Sequence, residues 1–422
     1  MSSPIRLRTH AVAVGGDALG RTDDGKVVFV DGALPDELVD VDLDQDRRDF
    51  AKGHVVAVLE PSSSRREPTC PHVADGCGGC GWQHVDDAAQ APLKVAIVVD
   101  ALRRTGRIHD AAERVIAGPA LAMRGHRTSV RAGVVDGLAG FRASGSSRIV
   151  PVSSCEVAHP VVERLLTAGR FGTAREVSIR YGTTSKQVLV VVEPTTRGVV
   201  LPDLSDFSGG IDVVVVGADE LKSKSSPAAG LEDDQAFFEE SVDGATFCVS
   251  ADSFFQTRPD GAELLVSFVE SALADESDLL LDLYGGVGLF AATIGRRFRT
   301  VVTVESSESA SNDAVVNLAA HPDAFVVCED VDEWRPSNEL FEPRRVAVVA
   351  DPSRKGLGRR AVDTIARTKA VIVVLVSCDA GSLGRDARLL VEAGYELTGS
   401  VVLDLFPQTP HVEVVSRFVL RR

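Results

Sequence analysis

At 422 residues the chain is too long for one ordinary hydrophobic core, and its composition, 44% hydrophobic and 25% charged, is that of a soluble globular protein. No apolar run reaches the length of a membrane span and the N-terminus Met1-Ser-Ser-Pro-Ile-Arg6 lacks a signal-peptide core, so two or three domains in the cytoplasm, with no membrane partner, are expected. A formal charge of −16 excludes indiscriminate nucleic-acid binding but leaves room for a local basic face. The seven cysteines (70, 77, 80, 155, 248, 328 and 378) are unsuited to disulfides in that compartment, and a cluster among them points to metal.

Short β-rich pieces open the chain: Ala11–Val14, Lys26–Val30, Glu37–Leu43 and His54–Leu59, punctuated by Gly15-Gly16 and Asp31-Gly32. Their spacing predicts a small five-stranded barrel of the OB type over residues 1–62. The pattern Gly20-Arg21, Gly25-Lys-Val-Val-Phe-Val30 and Gly32-Ala-Leu-Pro35 resembles the TRAM domain of RNA-modifying enzymes, although acids outnumber bases here. After the linker Pro61–Pro68 comes Cys70-Pro-His-Val-Ala-Asp-Gly-Cys77-Gly-Gly-Cys80-Gly-Trp-Gln-His84. Thiolates so closely spaced select an iron–sulfur cluster or zinc. Cys155 is the natural fourth ligand, with His72 and His84 as alternatives.

Ala88–Gly106 reads as a helix, and Arg127–Val135 with Leu138–Arg142 as a hairpin. Between Arg103 and Arg148 stand nine arginines against three acids, a net +6 within an acidic chain. Strands are expected at Glu176–Tyr181, Lys186–Val192 and Gly210–Val216, then a polar loop at Ala218–Asp234. Together these make a mixed α+β middle domain, residues 63–250.

From Asp252 strands and helices alternate. Leu279-Leu-Leu-Asp282-Leu-Tyr284-Gly-Gly-Val-Gly288 is an apolar strand entering a glycine-rich turn that lets backbone approach a cofactor. About twenty residues on, Val301-Val-Thr-Val-Glu305 ends a strand with an acid suited to ribose hydroxyls. Ala324–Asp330 and Val346–Ala350 give further strands, the latter leading into Asp351-Pro-Ser-Arg354. Cys248 and Cys328, inside apolar runs, are expected in the core. The β-branched run Ala370–Val376 predicts a strand buried on both faces, ending in Ser377-Cys378, and a helix then begins near Ser382. A cysteine there sits where open α/β sheets place ligands. The helix N-terminus, Arg385 and Arg388 are expected to lower its thiol pKa. Glu413, after His411 in an apolar strand, would have a raised pKa if buried; a surface acid is the alternative.

Read together, the stretches resemble the S-adenosylmethionine-dependent RNA uracil-5-methyltransferases, above all the iron–sulfur-containing enzymes of bacterial 23S ribosomal RNA. The matching motifs are Ser253-Phe-Phe-Gln256, Asp282–Gly288, Asp351-Pro-Ser-Arg354, Ser377-Cys378-Asp379 and Asp404-Leu-Phe-Pro-Gln-Thr-Pro-His-Val-Glu413. The resemblance implies a multidomain chain: TRAM-like barrel (1–62), iron–sulfur and RNA-binding middle domain (63–250), and a Rossmann-like class I methyltransferase domain (251–422). It makes Gln256, Tyr284, Glu305, Asp330 and Asp351 the cofactor contacts, Cys378 the nucleophile and Glu413 the base. Cys70, Cys77, Cys80 and Cys155 would hold a [4Fe-4S] cluster. Three departures stand out: Gly285 where the family usually has Cys, Ser353 where it has Pro, and Asp379-Ala380-Gly381 for a common Asn/Asp-Pro-Ala.

The implied chemistry needs these residue types. Carbon 5 of uracil is a poor nucleophile until a thiolate adds to carbon 6, and a base must remove the proton at carbon 5 after methylation. Arg127, Arg131 and Arg142 are expected on phosphates and Phe141 on a splayed base of RNA, with a monomeric enzyme. Three alternatives are weighed: the T-loop uridine of transfer RNA as substrate, a catalytically silent RNA-binding or iron–sulfur assembly protein, and a zinc-stapled methyltransferase of protein or a small molecule, which leaves the Arg103–Arg148 patch unexplained.

Overall fold

The computed structural model describes residues 4–219, 236–273, 277–341 and 344–421. The polar loop expected at Ala218–Asp234 lies, after its first two residues, outside the described residues.

The N-terminal strands Ile5–Val12, Ala18–Arg21, Val27–Asp31, Leu38–Asp46 and Phe50–Glu60 close into a barrel. Alternate residues (Leu7, Val28, Val30, Val39, Val41) fill it, as a period of two requires. The first strand ends at Val12 rather than Val14 because Gly15 and Gly16 take φ near +98° and +99° and turn the chain. Ala18–Arg21, short and containing glycine, carried no sequence signal. Glu37 is buried and accepts from the Arg65 guanidinium and the Leu34 amide, fastening the linker to the barrel.

A six-stranded sheet follows, in the order Asp212–Gly217, Gln187–Glu193, Glu176–Tyr181, Ser129–Val135, Leu138–Arg142, Ile149–Pro151, with the helix Pro160–Ala168 against it. The expected hairpin and the three strands are present within a few residues of their predicted ends.

The C-terminal sheet has eight strands in the order Ala324–Cys328, Thr300–Glu305, Leu279–Leu283, Val346–Ala350, Ile372–Ser377, Glu413–Leu420, Tyr395–Leu403, Val115–Ala117. Its first five are parallel and Glu413–Leu420 runs antiparallel to both neighbours. The central strands are buried at every position, matching their unbroken apolar runs. Besides Val115–Ala117, two segments from the first 250 residues share this core. The helix Asp87–Arg104 packs Ile97, Val98 and Leu102 against Leu383 and Ala387, and the hairpin Phe237–Val242/Ala245–Ser250 packs Phe238 and Phe247 with Leu265 and Leu280. Cys248 is buried as expected, but Cys328 is exposed, because it ends an edge strand with no neighbour on one side.

Strand order reverses between Leu279–Leu283 and Val346–Ala350, which opens a crevice at the carboxyl ends of the strands.

Candidate active site

A cavity of about 1060 Å³ fills that crevice, and Gln256, Tyr284, Glu305, Asp330, Asp351, Cys378 and Glu413 all line it. The floor is the glycine-rich turn. Tyr284 is held at φ +60°, a strained conformation for a side-chain-bearing residue, and Gly286 and Gly288 take φ +56° and +87°. Glu305 braces the turn from the next strand, accepting from Gly286 N at 3.0 Å and Ser307 N at 2.7 Å. Below it Asp282 is fully buried and accepts from Ala291 N at 3.0 Å; burial pushes its carboxyl up to about 7. Asp330 is exposed at the end of its strand and accepts from Asp332 N at 2.8 Å. An acid beside a glycine turn is the arrangement that receives a ribose next to a backbone-cradled cofactor.

Three titratable groups meet deeper in. Cys378 follows the strand Ile372–Ser377 and is half-buried. Its thiol is pushed up to about 11, by burial first and then by the charges of Glu413 and Asp351, against which Arg354 acts. The expected lowering by the next helix does not occur. That helix starts at Ala380, not Ser382, and its N-terminus is capped by the Asp379 carboxylate, which accepts from Ser382 N at 2.7 Å. Arg385 donates instead to the Lys355 carbonyl and Arg388 pairs with Glu392. Glu413 is 3% exposed, with no hydrogen-bond partner for Oε1, and burial and Asp351 raise its pKa well above the ordinary value. Asp351 is pushed by burial to about 7.

Arg354 and His411 stand in two of the matching motifs, where the resemblance assigned them no role. Both line the cavity, their side chains 3.4 Å apart, and burial with the Arg354 charge depresses His411 to about 4. Phe254, of the motif Ser253–Gln256, lines it too without an assigned role, as does His126, which no motif contained.

The cysteine-rich segment forms another wall through Gly79 and Cys80. Cys70, Cys77, Cys80 and Cys155 are all free thiols. Burial, with the charges of the other three thiols, pushes Cys80 up to about 12. Among the described residues no group of three or more His, Cys, Asp or Glu side chains is arranged to hold a metal ion. The donor set itself, four unpaired thiols within electrostatic reach of one another, fits a soft metal centre. His72 is used otherwise: Nε2 accepts from Ser153 N at 3.0 Å and Nδ1 faces Asp75 at 3.2 Å, stapling the 70–80 stretch to the segment of Cys155. His84 is half-buried, and burial first and then the Arg65 charge at the barrel, against Glu37, depress it to about 4.

The four residues expected on RNA differ in exposure and in partners. Arg127 lines the cavity beside Cys80 and Cys155, with burial depressing its pKa. Arg131 is exposed but ion-paired with Glu176, Phe141 packs against the sheet core, and Arg142 is exposed. Much of the local positive charge is offset by acids: Arg104 by Asp100, Arg114 by Asp110 and Glu396, Arg124 by Asp87 and Glu156.

This is the architecture of a Rossmann-like methyltransferase with a small barrel at its N-terminus. Residues 11–56 match the TRAM domain. Over its full length the fold is similar to the tRNA (uracil-54, C5)-methyltransferase of Pyrococcus abyssi solved with S-adenosyl-L-homocysteine, with TM-score 0.70 and 24% identity over 98% of this chain and 99% of that one. An uncharacterized RNA methyltransferase of Streptomyces avermitilis is 33% identical, over 99% of this chain and 98% of that protein. The 23S rRNA (uracil(1939)-C(5))-methyltransferase RlmD of Methylococcus capsulatus is 31% identical, over 99% and 97%. The chain belongs to this family of RNA methyltransferases, which act with S-adenosylmethionine.

Proposed function

We propose that the chain transfers the methyl group of S-adenosylmethionine to carbon 5 of a uridine in 23S ribosomal RNA, as a cytoplasmic monomer, through a covalent adduct on Cys378. The observation that carries this reading is a single cavity in which Cys378, Glu413 and Asp351 meet at one end and the Tyr284–Gly288 turn with Glu305 lies at the other. Such an enclosed site takes a base that has left its stack. The ribosomal substrate is favoured by the full-length likeness to the Methylococcus enzyme.

Once Cys378 has lost its proton, the thiolate adds to carbon 6 and leaves an enolate nucleophilic at carbon 5. The enolate takes the methyl group from the sulfonium, releasing S-adenosylhomocysteine. Glu413, as the carboxylate, then removes the proton at carbon 5. The carbon 6–sulfur bond breaks, and the thiolate is regenerated. The buried position of Glu413 gives it the raised pKa of an effective base. Gln256, Tyr284, Glu305, Asp330 and Asp351 hold the cofactor. Cys70, Cys77, Cys80 and Cys155 would hold a [4Fe-4S] cluster, whose binding would link the cavity wall at Gly79–Cys80 to the segment of Cys155; Arg127, beside two of the thiols, would offset their charge. Arg131, Arg142 and Phe141 contact the RNA outside the cavity.

The test uses Cys378→Ala and Glu413→Gln with methyl-labelled cofactor and either a ribosomal or a transfer RNA fragment. Glu413→Gln accumulates a labelled protein–RNA complex that survives denaturing electrophoresis with the ribosomal fragment, and Cys378→Ala forms none. Normal turnover by Glu413→Gln, or label bound without Cys378, overturns the assignment.

A further inference from the structure

The loop from Asp404 to His411 presents Phe406, Thr409 and His411 to the cavity and leads directly into Glu413. It is fastened from behind by Gln408. This residue is 1% exposed and adopts φ +66°, a conformation that a residue other than glycine keeps only where its surroundings impose it. Each of its polar groups is taken by the segment 66–90. Its amide donates to Gln90 Oε1 at 2.7 Å and its carbonyl accepts from Trp82 N at 2.9 Å. Its side-chain Oε1 accepts from Arg66 Nη2 at 2.7 Å and Gln90 Nε2 at 3.3 Å, while Nε2 donates to Asp87 Oδ1 at 2.8 Å. Arg66 and Asp87 are themselves paired at 2.7 Å. Pro410, two residues on, is pressed against the same segment and the barrel: a Cβ on Gly16 would stand 2.5 Å from Pro410 Cβ and 2.9 Å from Trp82 Nε1. The segment so engaged contains Cys70, Cys77 and Cys80.

We propose that Gln408 is a positioning residue that couples the cysteine-bearing segment to the loop entering Glu413, and so sets Glu413 for removal of the proton at carbon 5. The inference rests on the reading of Glu413 as the base. Tyr284, Glu305 and Asp351 stand at the ends of other strands, and Gln408 bonds to none of them. Its loss therefore acts on release of the methylated RNA and spares cofactor binding and adduct formation. Misplacement of a reacting group by about 1 Å costs on the order of 100-fold in rate.

Gln408→Glu is the discriminating variant. It keeps the shape and the acceptor facing Arg66 but turns the donor facing Asp87 into a second carboxylate; adding Asp87→Asn restores one donor opposite one acceptor. S-adenosylmethionine affinity by calorimetry, adduct formation by rapid quench and product release are measured on the full chain. Gln408→Glu should leave the first two unchanged, slow release on the order of 10–100-fold and accumulate labelled adduct. The double variant should return release to within a few fold of the starting enzyme. Normal release by Gln408→Glu, or affinity and adduct formation falling together with release, overturns the proposal, as does failure of Asp87→Asn to rescue. Glu413→Gln run in parallel separates the causes. If it traps no adduct, the base is misassigned and this proposal goes with it. If it traps adduct while Gln408→Glu releases normally, the coupling alone is wrong.

Discussion

Alkylation of Cys378 is a direct readout of the electrostatics that surround its thiol. Its thiol stands at about 11 against an ordinary thiol value of 9.0, with burial the first cause and the Glu413 and Asp351 charges the next. At pH 8 a thiol of pKa 9 is about 9% ionised and one of pKa 11 about 0.1%, so Cys378 should react with iodoacetamide about 100-fold more slowly than an unhindered thiol. Asp351 titrates at about 7 and carries its charge at the pH where the thiol ionises. Removing a carboxylate from this site therefore favours the thiolate, so Glu413→Gln should lower the apparent pKa of alkylation and speed reaction at pH 8. Arg354→Gln should do the opposite, because Arg354 is the cation that acts in favour of the thiolate. Peptide mapping by mass spectrometry over pH 7–11, which resolves Cys378 from the other six cysteines, supplies the rate profile. A midpoint near 8, or Glu413→Gln leaving the profile in place, would refute the account of a thiol held protonated by burial and neighbouring carboxylates.

Two other expectations concern the metal centre and the glycine-rich turn. Anaerobically purified protein should carry iron and sulfide, and Cys80→Ser and Cys155→Ser should each lose the iron; stoichiometric zinc in place of iron would exclude the cluster. Gly285→Ala should destabilise the fold by about 1–3 kcal/mol in denaturant unfolding, and Thr303→Ala in the same chain should recover part of the loss, because a Cβ at Gly285 would stand 2.0 Å from Thr303 Oγ1. A neutral Gly285→Ala would show that this strand gives way more easily than its burial implies.

Most of the fold was legible because its strongest elements satisfy local rules. The unbroken apolar runs at Leu279–Leu283, Val346–Ala350 and Ile372–Ser377 are what a strand covered on both faces requires, and they are the buried centre of the sheet. The elements that escaped were weak locally and are stabilised by partners distant in sequence. Ala18–Arg21 is a strand through its pairing with Val27–Asp31 and with the first strand. Val115–Ala117, only three residues long, joins the far edge of the C-terminal sheet beside Ser400–Val402. Nothing in its neighbourhood of the chain distinguishes it from a loop.

The same division runs through the site. Gly286, Gly288 and Glu305 could be read from spacing because the backbone geometry of a cofactor turn is a local requirement. The state of Cys378 could not, because neighbours along the chain are not its electrostatic environment. The helix that follows it spends its N-terminus on Asp379, and Arg385 and Arg388 find other partners. Burial first, and then Asp351 and Glu413 from the two strands that flank that of Cys378, raise the thiol that its neighbours along the chain were expected to lower. The turn itself shows the converse, a departure from the family pattern that spatial neighbours explain. Gly285 stands where relatives of the resembled family usually carry cysteine, and the space for a side chain there is occupied by Thr303 Oγ1 from the next strand, fully buried and without a hydrogen-bond partner. A side chain at 285 would require Thr303 to shift. In this chain the bulk beside Gly285 is supplied by Thr303 from the next strand.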